Sequence, residues 1–306
     1  MVAWSGRRPG GPRRPHGWLF PEGVLRVAKT RPFLKWPGGK YRIAARIQAY
    51  LPAGRRLVEP FVGSAAVFLN TDYAAACLSD VNPDLINLYR AVQTEGETFV
   101  ASARGLFTAE HNRADRYYAH RARFNRATDP WERALLFLYL NRHGYNGLVR
   151  YNRAGQFNVP FGRYLRPYFP EAEILAFAAA APRASLQAQD FRAAMAAAAP
   201  GDVVYCDPPY LPLSATANFR DYAGGGFTVQ DQAELADRAR MLAARGIPVL
   251  VSNHDTPESL ALYAGARVER FAVRRSISRD GQRRGAAQEL LALFLPAHAA
   301  AGRPNS

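Results

Sequence analysis

Asp207, Pro208, Pro209 and Tyr210 form the stretch of this sequence whose residue types and spacing best suit chemistry. The two proline rings fix the backbone dihedral φ at consecutive positions and remove two N–H donors, so this backbone is stiff and offers only carbonyl acceptors. A carboxylate, a rigid carbonyl and an aromatic ring suit a flat base that carries an amino group. We therefore take these four residues as the candidate catalytic residues.

The reaction that these groups favour is methyl transfer to the exocyclic amino nitrogen of adenine, whose lone pair is delocalised into the ring. If Asp207 and the Pro208 carbonyl each accept one amino hydrogen, the nitrogen is held in place and the charge that develops on it is stabilised. Tyr210 can stack on the base. The alternative is a strand-to-turn junction with a solvated Asp207 and a packed Tyr210, and four residues alone do not decide between the two.

The residues before this stretch predict how it is positioned. The apolar run at 203–206 is typical of a strand buried on both faces of a parallel sheet, and such sheets place ligands beyond the carboxyl ends of their strands. Strands are also predicted near 185–189, 248–252, 267–273 and 289–295, and a capped helix is predicted from Thr228 to Arg245, closed by Gly246. The pattern indicates an α/β fold with its site at one edge of the sheet.

Two earlier strands predict a cofactor site at the same edge. Residues 57–59 form a short apolar strand, which runs into a glycine turn at 60–64 and then an apolar helix through Val67 and Leu69. A second strand at 76–79 ends in Asp80, and an acidic residue at that place commonly binds a ribose. Strand, glycine turn and helix together form a cradle for a nucleoside cofactor.

The paired glycines before Lys40, in PFLKWPGGK at 32–40, resemble a phosphate loop only superficially. That motif needs a longer spacing between glycines and a Ser or Thr after the lysine, where Tyr41 stands. Nucleotide hydrolysis is therefore disfavoured.

Length and composition limit which class of protein this chain can belong to. A chain of 306 residues with a formal net charge of +15 predicts two domains, or one domain with a large insertion, and a polyanionic partner. Only three residues are lysines, so the arginine excess also fits coding bias. Cys77 and Cys206 fall in different predicted strands, which favours neither a disulfide nor a metal site. Without a membrane-length apolar run or a secretion signal, we expect a cytoplasmic protein.

Three regions stand apart from this pattern. Residues 1–30 are rich in Arg, Gly and Pro and are predicted to be a disordered basic extension, either dispensable or misassigned at its start codon, or else a nucleic-acid-binding arm. Residues 83–169 are predicted to be mainly helical, with one helix starting at Asp129 and a β-hairpin turning at 154–155. Exposed Arg, Asn and Tyr on that hairpin suit the reading of a DNA groove. Residues 274–281 form a basic tip between strands, which suits either a phosphate clamp or a solvated loop.

The assembled stretches resemble the Dam-type DNA adenine methyltransferases from about residue 31 to residue 295. The matching stretches, in the order of the family, are PFLKWPGGK, LVEPFVGSAAVFLNTD, LNRHGYNGLVRYN, QFNVPFGRY, VVYCDPPYLPLSATANF, PVLVSNHDT and VRRSIS. The resemblance implies a Rossmann-like sheet in residues 31–82 and 170–306 that uses S-adenosylmethionine. It also implies that the inserted region, 83–169, is a target-recognition domain for double-stranded DNA, with adenine in GATC as the substrate.

The resemblance also implies roles for individual residues. The catalytic loop corresponds to residues 207–210. The implied cofactor-binding residues are Trp36, Lys40, Asp80, Asp190, Phe191 and Asp207. To these we add Glu59, Phe61 and Gly63 from the strand and glycine turn at 57–64. The implied DNA-binding residues are Lys35, Tyr145, Asn146, Leu148, Arg150 and Arg163, and we add Arg275 from the basic tip. One departure is Ala65, which stands where the family has a second glycine, so tight cofactor binding depends on whether an added methyl group is tolerated.

The expected reaction is methyl transfer to a flipped adenine, without metal, by a monomer in the bacterial cytosol or nucleoid. Two alternatives are methylation of a protein amide, because related loops serve glutamine side chains, and a DNA-binding protein that has lost catalysis. The basic insertion argues against the first, and the presence of Asp207, Lys40 and Asp80 argues against the second. The sequence leaves open whether the enzyme marks DNA for replication and mismatch repair or serves a restriction-modification system.

Overall fold

The computed structural model describes residues 29–210, 227–274 and 286–296. The predicted extension therefore lies outside the described residues except for its last two positions. Arg275 and most of the predicted basic tip also lie outside them. No helix in the described ranges is long and apolar enough to span a membrane.

The centre of the fold is a seven-stranded sheet in the order β3-β2-β1-β4-β5-β7-β6. The first five strands pair in parallel, and β7 inserts antiparallel between β5 and β6. This mixed α/β sheet confirms the predicted Rossmann-like class. The strands are β1 (Arg56–Glu59), β2 (Ala75–Asp80), β3 (Ala184–Ala188), β4 (Asp202–Cys206), β5 (Val249–His254), β6 (Arg267–Arg274) and β7 (Ala286–Phe294).

Eight helices surround the sheet in the described ranges. They are α1 (Ala44–Tyr50), α2 (Pro83–Arg104), α3 (Ala114–Phe124), α4 (Pro130–His143), α5 (Glu171–Ala180), α6 (Phe191–Ala196), α7 (Val229–Ala244) and α8 (Pro257–Leu262). Short 3₁₀ turns occupy Lys40–Ile43, Phe68–Asn70, Tyr145–Gly147 and Ala181–Arg183.

Local sequence signals account for two helix starts that were predicted. The Asp129 carboxylate accepts a hydrogen bond from the Glu132 N–H at 2.8 Å, which caps α4. Thr228 and Asp231 form a reciprocal capping box at the start of α7. The α7 prediction is also confirmed at its other end, because Gly246 takes the left-handed conformation (φ +84°) just after the helix.

The helix predicted after the glycine turn was wrong. Residues 64–67 form turns, and only the short 3₁₀ segment Phe68–Asn70 follows them. Gly63 and Ala65 both have positive φ, at 46° and 59°. Left-handed residues interrupt the repeating α-helical dihedrals, so an apolar run that suggests a buried helix instead forms a compact turn.

Two apolar clusters pack on opposite faces of the sheet. Leu57 belongs to the cluster that continues into α2 and α4, and its neighbour Val58 belongs to the cluster beneath α6 and α7. Successive strand residues point to opposite faces, so β1 is buried on both sides. The strand predicted to be buried in this way is β4, and all five of its residues are buried. Because the first cluster extends through α2, α3 and α4, the helices between β2 and β3 share a core with the sheet.

The predicted hairpin is present in reduced form. Tyr151 and Phe157 form an isolated antiparallel bridge, and the Asn158 N–H donates to the Arg150 carbonyl at 3.1 Å. Gly155 makes the turn between them with φ +71°. The pairing is too short to count as two strands, and it leaves the tip side chains exposed.

Candidate active site

The carboxyl ends of β1, β2 and β4 meet at one edge of the sheet and open into a cleft of about 1130 Å³. Glu59 ends β1, Asp80 ends β2, and Asp207 follows β4 directly. All three line this cleft, together with Pro208, Pro209 and Tyr210. The predicted convergence of catalytic and cofactor residues at one sheet edge is therefore seen in the fold.

Asp207 is held by two neighbours from distant parts of the chain. Lys40 Nζ lies 2.9 Å from Asp207 Oδ1, and Ser252 Oγ donates to the same oxygen at 2.8 Å. Lys40 begins a 3₁₀ turn and is buried, and Ser252 lies on β5 and is fully buried. Within the described residues, both partners contact Oδ1, so the arrangement fixes the carboxylate and leaves Oδ2 for a ligand.

Tyr210 lies between Lys40 and the end of β5. The Lys40 Nζ is 4.7 Å from the centre of the Tyr210 ring, and the His254 ring packs edge-on against it at 4.5 Å. Burial raises the pKa of the Tyr210 phenol well above its ordinary value. The ring is thus a neutral, fixed surface at the wall of the cleft, suited to stacking.

Asp80 ties the end of β2 to the glycine turn. Its Oδ2 accepts from the Gly63 N–H at 3.2 Å, and its Oδ1 accepts from the Asn82 N–H at 3.0 Å. Burial raises the pKa of Asp80, and these N–H donors oppose that shift. A Cβ at Gly63 would lie 2.9 Å from Trp36 Nε1, so the turn needs glycine at this position for both space and dihedral angle.

Glu59 is a buried carboxyl group with an unmet hydrogen-bonding atom. Its Oε1 has no hydrogen-bond partner within the described part of the chain, although the side chain lines the cleft. Burial raises the pKa of Glu59 to about 8, the nearby Asp207 charge adds to the increase, and the Phe68 N–H opposes it. An orphaned buried polar atom facing a cleft fits a site that a polar ligand completes.

Aromatic rings line the other end of the cleft. Phe61 stacks on Phe191 with 5.5 Å between ring centres, and Phe227 packs edge-on against Phe61 at the same distance. Asp190 caps α6 by accepting from the Arg192 N–H at 2.8 Å. The predicted residues Asp190 and Phe191 therefore both line this end of the cleft, although the Asp190 side chain is half exposed and pairs with Arg192.

The predicted DNA-binding residues that the structure describes, which leave out Arg275, lie on the segment that follows α4 and on the loop before α1. Tyr145, Arg150 and Arg163 are exposed, and Asn146 and Arg163 have left-handed backbone conformations with φ of 54° and 53°. The Tyr164 hydroxyl accepts from the Asn146 N–H at 2.9 Å, which fixes this turn. Leu148 is half-buried.

Lys35 joins that segment to the loop that carries Lys40. Its Nζ donates to the Arg142 carbonyl at 3.3 Å and lies 3.7 Å from the centre of the Tyr164 ring. Burial and, to a lesser extent, the Arg142 charge lower the pKa of Lys35 to about 8. The amine is therefore fixed in place and partly dehydrated.

Three side chains that contact the 207–210 loop were not predicted. Ser252 and His254 come from the end of β5, and Gln232 comes from α7 and donates to the Pro209 carbonyl at 2.8 Å. The polar run at 252–254 directly after four apolar strand residues was a usable signal for the first two. No local signal marks Gln232.

Comparison with known proteins is consistent with this geometry. Residues 36–277 match the family described as D12 class N6 adenine-specific DNA methyltransferases. A DNA adenine methylase from Escherichia coli (strain K12) is 53% identical over 270 residues, covering 88% of this chain and 97% of the relative. The DNA adenine methylases of Vibrio cholerae serotype O1 (52% over 271 residues, 88% and 98% covered) and Serratia marcescens (53% over 269 residues, 88% and 100% covered) are similarly close.

Proposed function

The chain belongs to the D12 class of N6 adenine-specific DNA methyltransferases, and from this membership we propose its substrate and its donor. The donor is S-adenosylmethionine, and the acceptor is N6 of an adenine in double-stranded GATC that has been flipped out of the helix. Flipping is required because the amino nitrogen cannot be reached while the base is stacked.

The observation that carries the proposal is the arrangement of Asp207 beside Pro208 and Tyr210. Lys40 and Ser252 hold Oδ1 of the Asp207 carboxylate, and Asp207 lines the cleft. Asp207 Oδ2 and the Pro208 carbonyl then accept the two amino hydrogens of adenine. These hydrogen bonds strengthen as positive charge develops on N6, which is the condition for lowering the barrier.

The residues around Asp80 and Glu59 fit the proposed donor. A buried carboxyl at the end of β2 suits a ribose, the unmet Glu59 oxygen suits a polar group, and the close approach of Gly63 to Trp36 leaves no room for a larger side chain. Phe61 and Phe191 supply apolar faces for an adenine ring. S-Adenosylmethionine supplies an already activated methyl group, so the protein contributes alignment of the reacting atoms.

Target recognition is assigned to residues 83–169. Tyr145 and Leu148 are suited to wedge between bases, and Arg150 and Asn146 are suited to pair with guanine and adenine edges in the major groove. Lys35 and Arg163 flank them, and Arg275 joins them as a proposed phosphate contact. The enzyme is proposed to act as a monomer in the cytoplasm, in replication and repair marking or in a restriction-modification system.

The test is transfer of labelled methyl groups to GATC duplexes, to duplexes with one substituted base pair, and to ribosomal extract. We expect label in GATC adenine alone. Asp207→Ala should lower the rate at least about tenfold, equivalent to about 1.4 kcal/mol in the barrier, while specific DNA binding survives. Label in protein amides would favour the alternative substrate, and binding without any transfer would indicate a DNA-binding protein that has lost catalysis.

A further inference from the structure

Gln232 lies beneath the catalytic loop, residues 207–210, without reaching the cleft surface. The residue belongs to the first turns of α7 and is fully buried. Its Nε2 donates to the Pro209 carbonyl at 2.8 Å, although 22 other residues separate the two along the chain. A buried amide N–H without an acceptor destabilises the fold, so this hydrogen bond ties the position of the Gln232 side chain to that of the loop.

Two buried neighbours fix which end of the Gln232 amide faces the loop. Asn253 Nδ2 and the Tyr263 hydroxyl both lie 3.2 Å from Gln232 Oε1 and donate to it. Asn253 Nδ2 also donates to the Tyr263 hydroxyl at 2.8 Å. A flipped amide would oppose oxygen to oxygen at Pro209 and donor to donor at Asn253. The network therefore permits one orientation, with Nε2 toward the Pro209 carbonyl.

The loop has few remaining ways to move once both ends are held. The rings fix φ at Pro208 and Pro209, so each residue keeps only ψ as a soft dihedral. Asp207 is held at one end by Lys40 and Ser252, and Pro209 is held at the other by Gln232. Fixing the Pro209 carbonyl therefore restricts the peptide plane before it, which carries the Pro208 carbonyl.

We propose that Gln232 is a positioning residue for methyl transfer: it holds the Pro209 carbonyl toward the core, so that the Pro208 carbonyl is directed at the adenine amino group. The inference rests on the proposed function, because it needs Pro208 to accept an amino hydrogen. Asn253 and Tyr263 act one step further away, through the orientation of the Gln232 amide. All three side chains are fully buried and lie behind the residues that line the cleft, so the effect should appear in the transfer step and not in DNA affinity.

The deciding experiment compares Gln232→Glu with Gln232→Met in single-turnover methylation of a GATC duplex. A protonated Glu can donate to the Pro209 carbonyl and accept from Asn253 and Tyr263, whereas an ionised Glu places negative charge against that carbonyl. Met has a similar size and cannot donate at any pH. We expect Gln232→Met to be at least about tenfold slower than wild type at every pH. Because burial raises the pKa of a carboxyl group, Gln232→Glu should stay faster than Gln232→Met while its carboxyl is protonated, and it should slow to a similar rate only at the higher pH values that ionise it.

The pH profile separates positioning from packing. As pH falls, the rate of Gln232→Glu divided by that of Gln232→Met should rise, because protonation restores the missing donor. Other groups near the loop (Asp207, His254 and Lys40) are common to both variants and cancel in this ratio. Burial raises the pKa of Tyr263 far above this range, so its hydroxyl stays a donor.

Each outcome has one meaning. A ratio near one at every pH, or a Gln232→Met enzyme as fast as wild type, overturns the positioning role. An inactive wild type overturns the proposed function instead. DNA binding and thermal unfolding are measured for every variant, and if both Gln232 variants unfold, Tyr263→Phe serves in their place. That change removes one hydroxyl that orients the amide, and a transfer rate equal to wild type with intact folding would also overturn the inference.

Discussion

At the scale of single residues, Glu59 and Ala65 show how this site departs from what is locally most stable. Glu59 is a carboxyl group buried with one oxygen unpartnered in the described chain, and Ala65 is a fully buried alanine with φ of 59°. The two residues border the glycine turn at 60–64 that we assign to cofactor binding, one on each side. Functional sites commonly retain such unfavourable features, because the surrounding structure holds them in place.

The pKa of Glu59 makes stability depend on pH. In the unfolded chain the carboxyl loses its proton near its ordinary pKa of 4.5, while in the folded protein it keeps the proton until pH about 8. The folded state binds more protons in this window, so this group lowers stability as pH rises through it, and the loss is complete above pH 8. Glu59→Gln cannot titrate, so its free energy of unfolding should exceed that of wild type progressively from pH about 5 to about 8.5. Urea denaturation without cofactor measures this difference, and an equal difference at both ends would refute the raised pKa.

Ala65 allows a matched test of backbone strain. A left-handed alanine costs roughly 1–2 kcal/mol, whereas glycine there loses about 0.8 kcal/mol of burial and roughly 0.4–1 kcal/mol through unfolded-state entropy. These terms nearly cancel, so Ala65→Gly should change the free energy of unfolding by less than about 0.5 kcal/mol. Ala66 is also buried but has no positive φ, and Ala66→Gly should lose roughly 1–2 kcal/mol. Equal losses in the two variants would show that Ala65 carries no strain.

At the scale of elements, the hairpin depends on contacts with two helices. The Tyr151 hydroxyl donates to Asp84 Oδ2 at 2.7 Å, and Arg133 Nη2 donates to Asp84 Oδ1 at the same distance. Asp84 begins α2, and Arg133 lies on α4. The base of the hairpin is therefore fixed to the helices that follow β2, while its tip stays exposed.

Arg150, an exposed residue that precedes Tyr151, is predicted to read a guanine. Its Nε donates to Asn158 Oδ1 at 2.7 Å and its Nη2 donates to the Asn158 carbonyl at 3.3 Å, and a guanidinium has further N–H groups with which to contact a base. Arg150→Ala should remove roughly 1–3 kcal/mol of discrimination at one base pair, with cognate methylation falling and near-cognate methylation rising in proportion. The measurement is competition between GATC duplexes and single-substitution duplexes.

Asn158→Ala is the matched control for Arg150. It removes the side-chain partner of the guanidinium and leaves the backbone partner and the guanidinium itself, so discrimination should survive in this variant. If Arg150 only stabilises the hairpin or contacts a phosphate, Arg150→Ala should weaken all duplexes alike. An unchanged ratio across every duplex would remove the base-reading role.

The elements also show which features the sequence could predict. β4 and α7 were recognised because their signals are local: an apolar run, a capping pair and a closing glycine. Asp207 could be placed because it follows β4 directly. Gln232 and Ser252 could not, because their contacts to the loop join residues 23 and 45 positions apart. The antiparallel insertion of β7 was likewise not predicted, since strand order depends on packing of the whole sheet.

At the scale of the whole molecule, net charge and family membership both indicate that the protein acts on DNA. The net charge of +15 fits a phosphate-rich substrate, and general affinity from such contacts falls steeply with salt. Within the described residues, no group of three His, Cys, Asp or Glu side chains is arranged to hold a metal ion. The three described surfaces that we assign to recognition, to the cofactor and to transfer all adjoin the loop that carries Lys35, Trp36 and Lys40.

The last prediction concerns how much of the chain the enzyme needs. The family match begins at residue 36. Near the start of the described chain, the Thr30 N–H donates to Asn70 Oδ1 at 3.0 Å, and Asn70 Nδ2 donates to the Thr30 carbonyl at 2.9 Å. Deleting residues 1–28 should therefore leave the methylated sequence and turnover nearly unchanged. The deletion removes several arginines, so a modest loss of salt-dependent DNA binding is also expected.

Deleting residues 1–31 is the matched control, since it also removes the Thr30 contacts and should lower the free energy of unfolding by roughly 1–3 kcal/mol. Methylation-sensitive sequencing and thermal unfolding of both truncated chains provide the measurement. A changed target sequence after the shorter deletion would show that the basic extension takes part in recognition.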